Sequence, residues 1–184
     1  MMHFILEVHK AFKPPQIRKW VGFLDPKSLR ENEYALPEDK LFQIVEDKET
    51  LFTDMITHPC FMVSEKVMET IKLYEPSLDF TRIVLTEEKI ETIGIYYIPR
   101  LEELDVITSM GRVGRDKSTM DHFELDGEKI KDKTIFQIEH NEEIYVIAHL
   151  ELVESLLRRE ALGIGLREVD IKGGRGECVF NMSI

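Results

Sequence analysis

The hydrophobic pattern of residues 134–169 constrains the fold more than any other stretch of the chain. Apolar residues at 135–138 predict a β-strand, and Asn141-Glu142 predicts a tight turn after it. Residues 144–147 are apolar on both faces, which is typical of a strand in the middle of a sheet. We therefore expect a hairpin whose second strand is an interior strand.

The same stretch continues with an amphipathic helix and a closing strand. The inward-facing stripe of the helix is predicted to be Leu150, Val153, Leu156 and Leu157. Gly163 is a natural C-terminal stop, and Leu166 and Val169 fit a last strand. The whole stretch predicts the order strand, turn, strand, helix, strand.

Residues 41–84 carry a degenerate version of this plan. LFQIVE predicts a strand from Leu41, and a short strand precedes Ser64, which is placed to cap a helix. The helix has apolar spacing over residues 67–74, and Pro76 stops it. Residues 80–85 and 90–98 then predict a hairpin. The expected fold is α+β, with a mixed or antiparallel sheet and two main helices.

The two copies of the plan can be aligned, with a nine-residue insertion in the first copy. The matched sets are Phe42-Gln43-Ile44 with Phe136-Gln137-Ile138, then Val67, Met68 and Ile71 with Leu152, Val153 and Leu156, then Arg82 and Val84 with Arg167 and Val169. Ordinary strand–helix–strand patterning explains these matches equally well. We expect one compact domain over residues 1–184, with about 41–98 and 134–171 as candidate related halves.

The segment before Leu41 has the least regular pattern. Residues 4–8 predict a first strand, and Pro14-Pro15 imposes an extended connection. An apolar cluster at residues 20–24 is followed by Asp25-Pro26, which we interpret as a turn. These features suggest a strand pair with irregular loops.

The charge of the chain limits its partners. Its formal net charge is −11, from 35 acidic and 24 basic residues, which argues against non-specific binding to nucleic acid or anionic membrane. No apolar run approaches the length needed to span a bilayer, and the first residues lack a signal-peptide pattern. We expect a cytoplasmic protein whose two cysteines, Cys60 and Cys178, are free thiols.

No motif predicts catalysis, a metal or another cofactor. The string GRVGRDKS at residues 111–118 has part of a phosphate-binding loop, but Asp116 occupies a position where glycine is usual. The six histidines are scattered, so His58 with Cys60, or Asp121 with His122, would supply too few metal ligands. Cys60 lies in no reactive-cysteine signature, and no pair of carboxylates is singled out for general acid–base chemistry.

Acidic residues cluster at three predicted turns. They are Glu87, Glu88, Glu102, Glu103, Asp105, Glu142 and Glu143. Charge at turns is ordinarily only solvated. The functional alternative is an acidic rim that meets a basic protein partner and speeds their encounter.

Four segments, in this order, resemble a known family. They are FMVSEKVMETI, YYIPRLEELDVI, FELDGEKIKDKTIFQIE and IYVIAHLELVESLLRREALGIGLREV, which together extend over residues 61–169. The chain resembles the bacterial immunity proteins of polymorphic toxin systems, in immunity family eleven, a former domain-of-unknown-function family. One departure is that Ala148-His149 stands where the family has serine and an acidic residue, so we expect a helix cap to be lost.

The resemblance implies a cytosolic, non-enzymatic protein that binds and neutralises a cognate toxin, and it transfers no site residues. A small hydrolase or ligand-binding enzyme with an unrecognised site is the alternative, and a subunit of a stable homo-oligomer is a third. A deep cleft with ionisable groups of perturbed pKa would favour the enzyme. The sequence leaves the oligomeric state and the identity of the toxin open.

Overall fold

The computed structural model describes residues 2–36, 41–45, 47–87, 93–108 and 124–173. Within these residues the fold is α+β, as predicted, with two main helices, α2 and α4. In chain order the elements are β1 (His3–Val8), α1 (Pro26–Glu31), β2 (Leu41–Gln43), β3 (Met55–Ile56), β4 (Met62–Val63), α2 (Glu65–Tyr74), β5 (Phe80–Thr86), β6 (Ile93–Pro99), β7 (Glu124–Asp126), α3 (Gly127–Ile130), β8 (Ile135–His140), β9 (Glu143–His149), α4 (Leu150–Arg158), β10 (Ile164–Glu168) and β11 (Asp170–Lys172).

Two larger sheets and one small sheet contain these strands. The four-stranded sheet has the order β10-β1-β9-β8 and is antiparallel throughout. The five-stranded sheet has the order β2-β5-β6-β4-β3, in which β2 and β5 are the parallel pair. β7 and β11 form a separate parallel pair. The prediction of a mixed or antiparallel sheet is confirmed, and β9 is an interior strand as expected.

Both larger sheets contain the same connection. α2 follows β4 and leads to β5, while β6 lies between β4 and β5; likewise α4 joins β9 to β10 with β1 between them. Residues paired across neighbouring strands show the same order of burial in both sheets: buried, buried, intermediate and exposed. These residues are Met55, Val63, Tyr97 and Arg82 in one sheet and Ile135, Ala148, Phe4 and Glu168 in the other.

The strand that corresponds to β8 in this comparison is β3, since each forms a hairpin with the strand before the helix. The sequence match of Phe42-Gln43-Ile44 with Phe136-Gln137-Ile138 joins β2 to β8 instead, and β2 lies at the opposite edge of its sheet. That part of the alignment therefore does not fall on equivalent strands. The match of Arg82 with Arg167 is one residue out of register, because Arg82 and Glu168 occupy the corresponding rows. Common ancestry of the two halves stays a prediction.

The two main helices bury their apolar faces in a core that both sheets share. Val67 and Ile71 of α2 and Leu152, Val153 and Leu156 of α4 belong to one cluster of buried side chains. The predicted stripe of α4 was wrong at Leu157, whose side chain is 50% exposed, whereas Leu152 is fully buried. Leu157 follows Leu156 by about 100° around the helix axis, which turns it away from the sheets.

Side chains cap the N-termini of both main helices. Ser64 accepts a hydrogen bond from the amide of Val67, as predicted. The expectation that α4 lacks a cap is wrong, because Nδ1 of His149 accepts a hydrogen bond from the amide of Glu151 at 3.4 Å. An unprotonated imidazole nitrogen is a hydrogen-bond acceptor, so histidine can replace the serine at this position.

The N-terminal segment differs from the expected strand pair. The predicted first strand is present as β1, but its partners are β9 and β10, from the far end of the chain. Asp25-Pro26 begins a helix rather than a turn, because Asp25 caps α1 and Pro26 takes the first helical position. Local turn residues could not indicate a pairing across such a long sequence separation.

Asp54, just before β3, links the two halves of the molecule. Its carboxylate accepts hydrogen bonds from the Ser64 hydroxyl at 2.6 Å, Lys66 Nζ at 3.0 Å and the amide of Leu162 at 2.6 Å. The amide of Asp54 also donates to the carbonyl of Leu162 at 2.9 Å. The start of α2 is thereby fixed to the turn between α4 and β10.

The glycine that ends this turn is in close contact with the other half. Gly163 has φ +82°, and a Cβ at this position would lie 2.6 Å from Cγ2 of Thr53. Thr53 is buried and its hydroxyl donates to the carbonyl of Met55, so it has little freedom to move.

None of the helices in the described ranges is long and apolar enough to cross a membrane.

We predict that Gly163→Ala lowers the free energy of unfolding by about 2–4 kcal/mol, through backbone strain and overpacking against Thr53. Gly22→Ala is the matched control, since Gly22 also has φ +82° but has no atom within 4 Å of the added Cβ. The control should lose only about 1 kcal/mol. Urea unfolding measures both values, and equal losses would contradict the close contact.

Candidate functional site: an acidic edge beside a cleft

The predicted acidic residues do not form one surface. Glu87 lies at the end of β5, at the far end of the β5–β6 hairpin from Pro99. At about 3.4 Å per residue this is on the order of 20 Å from the segment that follows β6. Glu88 lies outside the described residues. The other five residues lie along β8 and its turn.

The segment 102–105 runs beside β8. The amide of Gln137 donates to the carbonyl of Glu102, and the amide of Leu104 donates to the carbonyl of Gln137, both at 2.9 Å. This pairing brings the predicted residues Glu102, Glu103 and Asp105 close to Glu139, which the sequence did not single out. We call the resulting surface the acidic edge; it comprises Glu102, Glu103, Asp105, Glu139, Glu142 and Glu143.

Part of the acidic edge is neutralised within the molecule. Lys133 Nζ lies 2.5 Å from Glu102 Oε2. Arg30 of α1 places Nη1 2.7 Å from Glu103 Oε2 and 3.3 Å from Glu139 Oε2, so one guanidinium joins α1 to both carboxylates. Among the described residues, the carboxylates of Asp105 and Glu142 have no hydrogen-bond donor or cation as a partner. Lys129 Nζ does lie 3.1 Å from the backbone carbonyl oxygen of Asp105, so Glu142 is the more isolated of these two carboxylates.

The β8–β9 turn presents the last two acidic residues to solvent. Asn141 and Glu142 have φ of 52° and 65°, as a two-residue hairpin turn with two left-handed positions requires. The predicted turn is confirmed. Glu143 accepts a hydrogen bond from the hydroxyl of Tyr145 at 2.8 Å.

A cleft of about 520 Å³ lies where the four-stranded sheet divides. The register between β1 and β9 ends at Ile5 and Ile147. Beyond that point β1 remains paired with β10 as far as Val8, and β9 remains paired with β8 as far as Glu143. Residues of both diverging strands line the cleft, and its volume is in the range of small-ligand sites.

The walls of the cleft come from several parts of the chain. Besides β1 and β9, they include α1 with Tyr34, the segment 57–61, and Ile98, Pro99 and Leu101 at the end of β6 and just beyond it. Aromatic side chains contribute much of the wall: Trp20, Tyr34, Phe61 and Tyr145. Trp20 makes an edge contact with His58, with ring centroids 5.2 Å apart.

The two arginines that line the cleft already have acidic partners. Arg167 Nε lies 3.5 Å from Glu7 Oε2, and the Arg167 guanidinium lies 5.9 Å from the centre of the Tyr145 ring. Arg30 pairs with the acidic edge as described above. Glu142 and Glu143 also line the cleft and are exposed, so they lie at its rim and connect it to the acidic edge.

Three ionisable side chains that line the cleft, those of Asp25, Tyr34 and Cys60, have shifted pKa values. Burial raises the pKa of the Cys60 thiol, and the nearby charge of Asp25 adds to this effect. Burial also raises the pKa of Tyr34, although a hydrogen bond with Gln137 opposes the shift. Hydrogen bonds from the amides of Ser28 and Gly22 lower the pKa of Asp25, which acts as the helix cap of α1.

Several predicted features lie outside the described residues. These are Cys178, Asp121, His122 and the string at residues 111–118. Within the described ranges, no group of three or more His, Cys, Asp or Glu side chains could hold a metal ion.

No protein-family model matches the chain, and no curated protein matches its sequence.

Sequence reasoning missed Arg30, Glu139, Trp20 and Tyr145. Glu139 is the first exposed residue of β8, after four buried positions, so no alternation of apolar and polar residues marked it in the sequence. Arg30 and Trp20 come from the N-terminal segment, and no local pattern indicated that this segment packs beside β8 and β9.

We predict that Cys60 is unreactive in the folded protein. At pH 8, its alkylation by iodoacetamide should be slower than in the urea-unfolded chain by on the order of 100-fold or more, because it is buried and protonated. Mass spectrometry of the tryptic peptides separates Cys60 from Cys178. Alkylation as fast in the folded protein as in the unfolded chain would indicate an accessible, activated thiol.

Proposed function

We propose that the protein is a cytoplasmic immunity protein that binds and neutralises a cognate bacterial toxin domain. Two observations support the proposal. The segments that resemble immunity family eleven include β4 with α2, the segment 96–107, and β7 to β10, which together position the acidic edge. The edge itself carries the proposal, because the carboxylates of Asp105 and Glu142 form no ion pair within the described part of the molecule.

Neutralisation would work by occlusion. The acidic edge would approach a basic surface of the toxin, and the protein body would then cover the toxin's active site or its substrate groove. A stable interface of this kind buries on the order of 1,600 Å² in total. Opposite charges would speed the encounter at low ionic strength, and salt would weaken this effect.

A competition experiment tests the proposal directly. We expect a strain that lacks the gene to lose to its parent in mixed culture, because the parent's toxin would no longer be neutralised. Expression of the full chain from a plasmid should restore survival. Equal survival of the deletion strain and its parent, under conditions in which the parent kills other bacteria, would contradict the proposal.

Two double variants locate the interface in the same assay. Asp105→Lys with Glu142→Lys should reduce protection, since neither carboxylate forms an ion pair with another described residue. Glu69→Lys with Glu87→Lys makes the same charge change away from the acidic edge, on α2 and the far end of β5, and should protect fully. Full protection by both variants would contradict the acidic edge but not the immunity function. Glu102 and Glu103 are poorer test positions, because their substitution also breaks ion pairs.

The cleft favours a second candidate, a small-ligand-binding protein. Its volume and aromatic walls suit such a role, and the raised pKa of Cys60 counts against a hydrolase that would use this thiol. Equal survival of the deletion strain and its parent, together with saturable binding of a small molecule to the protein, would favour this candidate.

A further inference from the structure

The cleft forms where two neighbouring strands of the four-stranded sheet, β1 and β9, separate. β1 and β9 each keep one outer partner and separate from each other beyond Ile5 and Ile147. Leu6 and Val146, which face each other across the division, both line the cleft and are buried. The sheet therefore forms two of its walls, and an entering group would be held between elements fixed by strand pairing.

The inner surface of the cleft is suited to a stem of carbon atoms. Leu29 of α1, Ile98 of β6 and Leu101 are buried side chains that line it, together with Val146. Trp20 and Tyr145 add ring surface beside these aliphatic groups. Burial of an apolar stem against such walls contributes about 25 cal/mol per Å² of area removed from water.

The charged side chains that line the cleft favour a ligand of one charge sign. Arg167 forms a long ion pair with Glu7 inside the cleft, with 3.5 Å between Nε and Oε2, and Arg30 pairs with Glu103 and Glu139 beside it, so each cation already has an anionic neighbour. The Asp25 carboxylate is occupied by two backbone amides. Within the described residues, Glu143 accepts a hydrogen bond from the neutral Tyr145 hydroxyl, and Glu142 has no partner. The uncompensated charge at the rim is therefore negative.

We propose that this cleft binds an organic cation, a guanidinium or ammonium group on an apolar stem, with the stem between β1 and β9 and the cation at Glu142 and Glu143. An anionic ligand would meet these carboxylates and would have to compete with internal ion pairs for both arginines. A neutral apolar ligand would form no ion pair with the carboxylates at the rim. Binding of such a cation to the cleft does not depend on whether the chain neutralises a toxin.

The two sources of such a cation are a lysine or arginine side chain of a protein and a small free amine or guanidine. Both share the chemistry that the cleft recognises. They differ in whether groups beyond the stem are required for binding, and separate probes can distinguish them.

Fluorescence of Trp20, the single tryptophan of the chain, reports occupancy because its ring lines the cleft. The probes are N-acetyl-arginine methylamide, its neutral isostere N-acetyl-citrulline methylamide, and butylguanidinium. We expect the arginine probe to give a saturable change at millimolar concentration and the citrulline probe to give none. Saturation by butylguanidinium as well would indicate a small free cation as sufficient, whereas saturation by the arginine probe alone would indicate a protein side chain.

Glu142→Gln with Glu143→Gln should weaken binding of the arginine probe roughly threefold to tenfold. Glu69→Gln with Glu87→Gln, away from the cleft, is the matched control and should leave the affinity unchanged. Circular dichroism confirms that both variants fold. No saturable change with the arginine probe, equal binding of the citrulline probe, or unchanged affinity in the Glu142 and Glu143 variant would each overturn the proposal.

Discussion

The hydrogen bonds of one carboxylate, that of Asp54, hold the two halves of this molecule in register. Burial alone would raise the pKa of Asp54, but hydrogen bonds from the Leu162 amide, Ser64 and Lys66 outweigh it and lower the pKa. The charged form is therefore favoured in the folded state. The same carboxylate supports the cap of α2 and the turn that begins β10, so both sheet–helix units depend on it.

The two halves also share a hydrophobic core. α2 and α4 bury their apolar faces in one cluster, which also takes side chains from β1, β3, β4, β8 and β9. β1 completes the second sheet between β9 and β10, so the first residues of the chain are needed before that sheet can close. The division of β1 from β9 then opens the cleft, and the β8–β9 turn brings the acidic edge to its rim.

Local pattern predicted the elements whose cause is local. Ser64 and the spacing of residues 67–74 predicted α2, and Asn141-Glu142 predicted the β8–β9 turn, because capping and turn geometry depend on a few adjacent residues. The partners of β1 could not be predicted, since strand pairing across the whole chain leaves no local mark. His149 shows the limit of a motif, because an imidazole replaces serine as the cap of α4.

The candidate site was predictable only as separate charges. The charges of Glu102, Glu103, Asp105, Glu142 and Glu143 were apparent in the sequence, but the predicted turn at residues 102–105 is wrong, because this segment pairs with β8. Glu87 belongs to a different part of the surface. The convergence of the other five residues depends on the pairing of residues 102–104 with β8 and on Arg30, which arrives from α1. The cleft arises where a strand pairing stops, and no residue pattern marks that point.

Native-state hydrogen exchange tests the central claim that Asp54 joins both sheets into one cooperative unit. The amides of Tyr96 and Ile98 in β6 and of Val146 and Ala148 in β9 should exchange with the same free energy of opening. Asp54→Ala should lower both values equally, by about 2–3 kcal/mol, whereas Glu69→Ala on the exposed face of α2 should change neither. Loss of protection in one sheet alone would contradict the account.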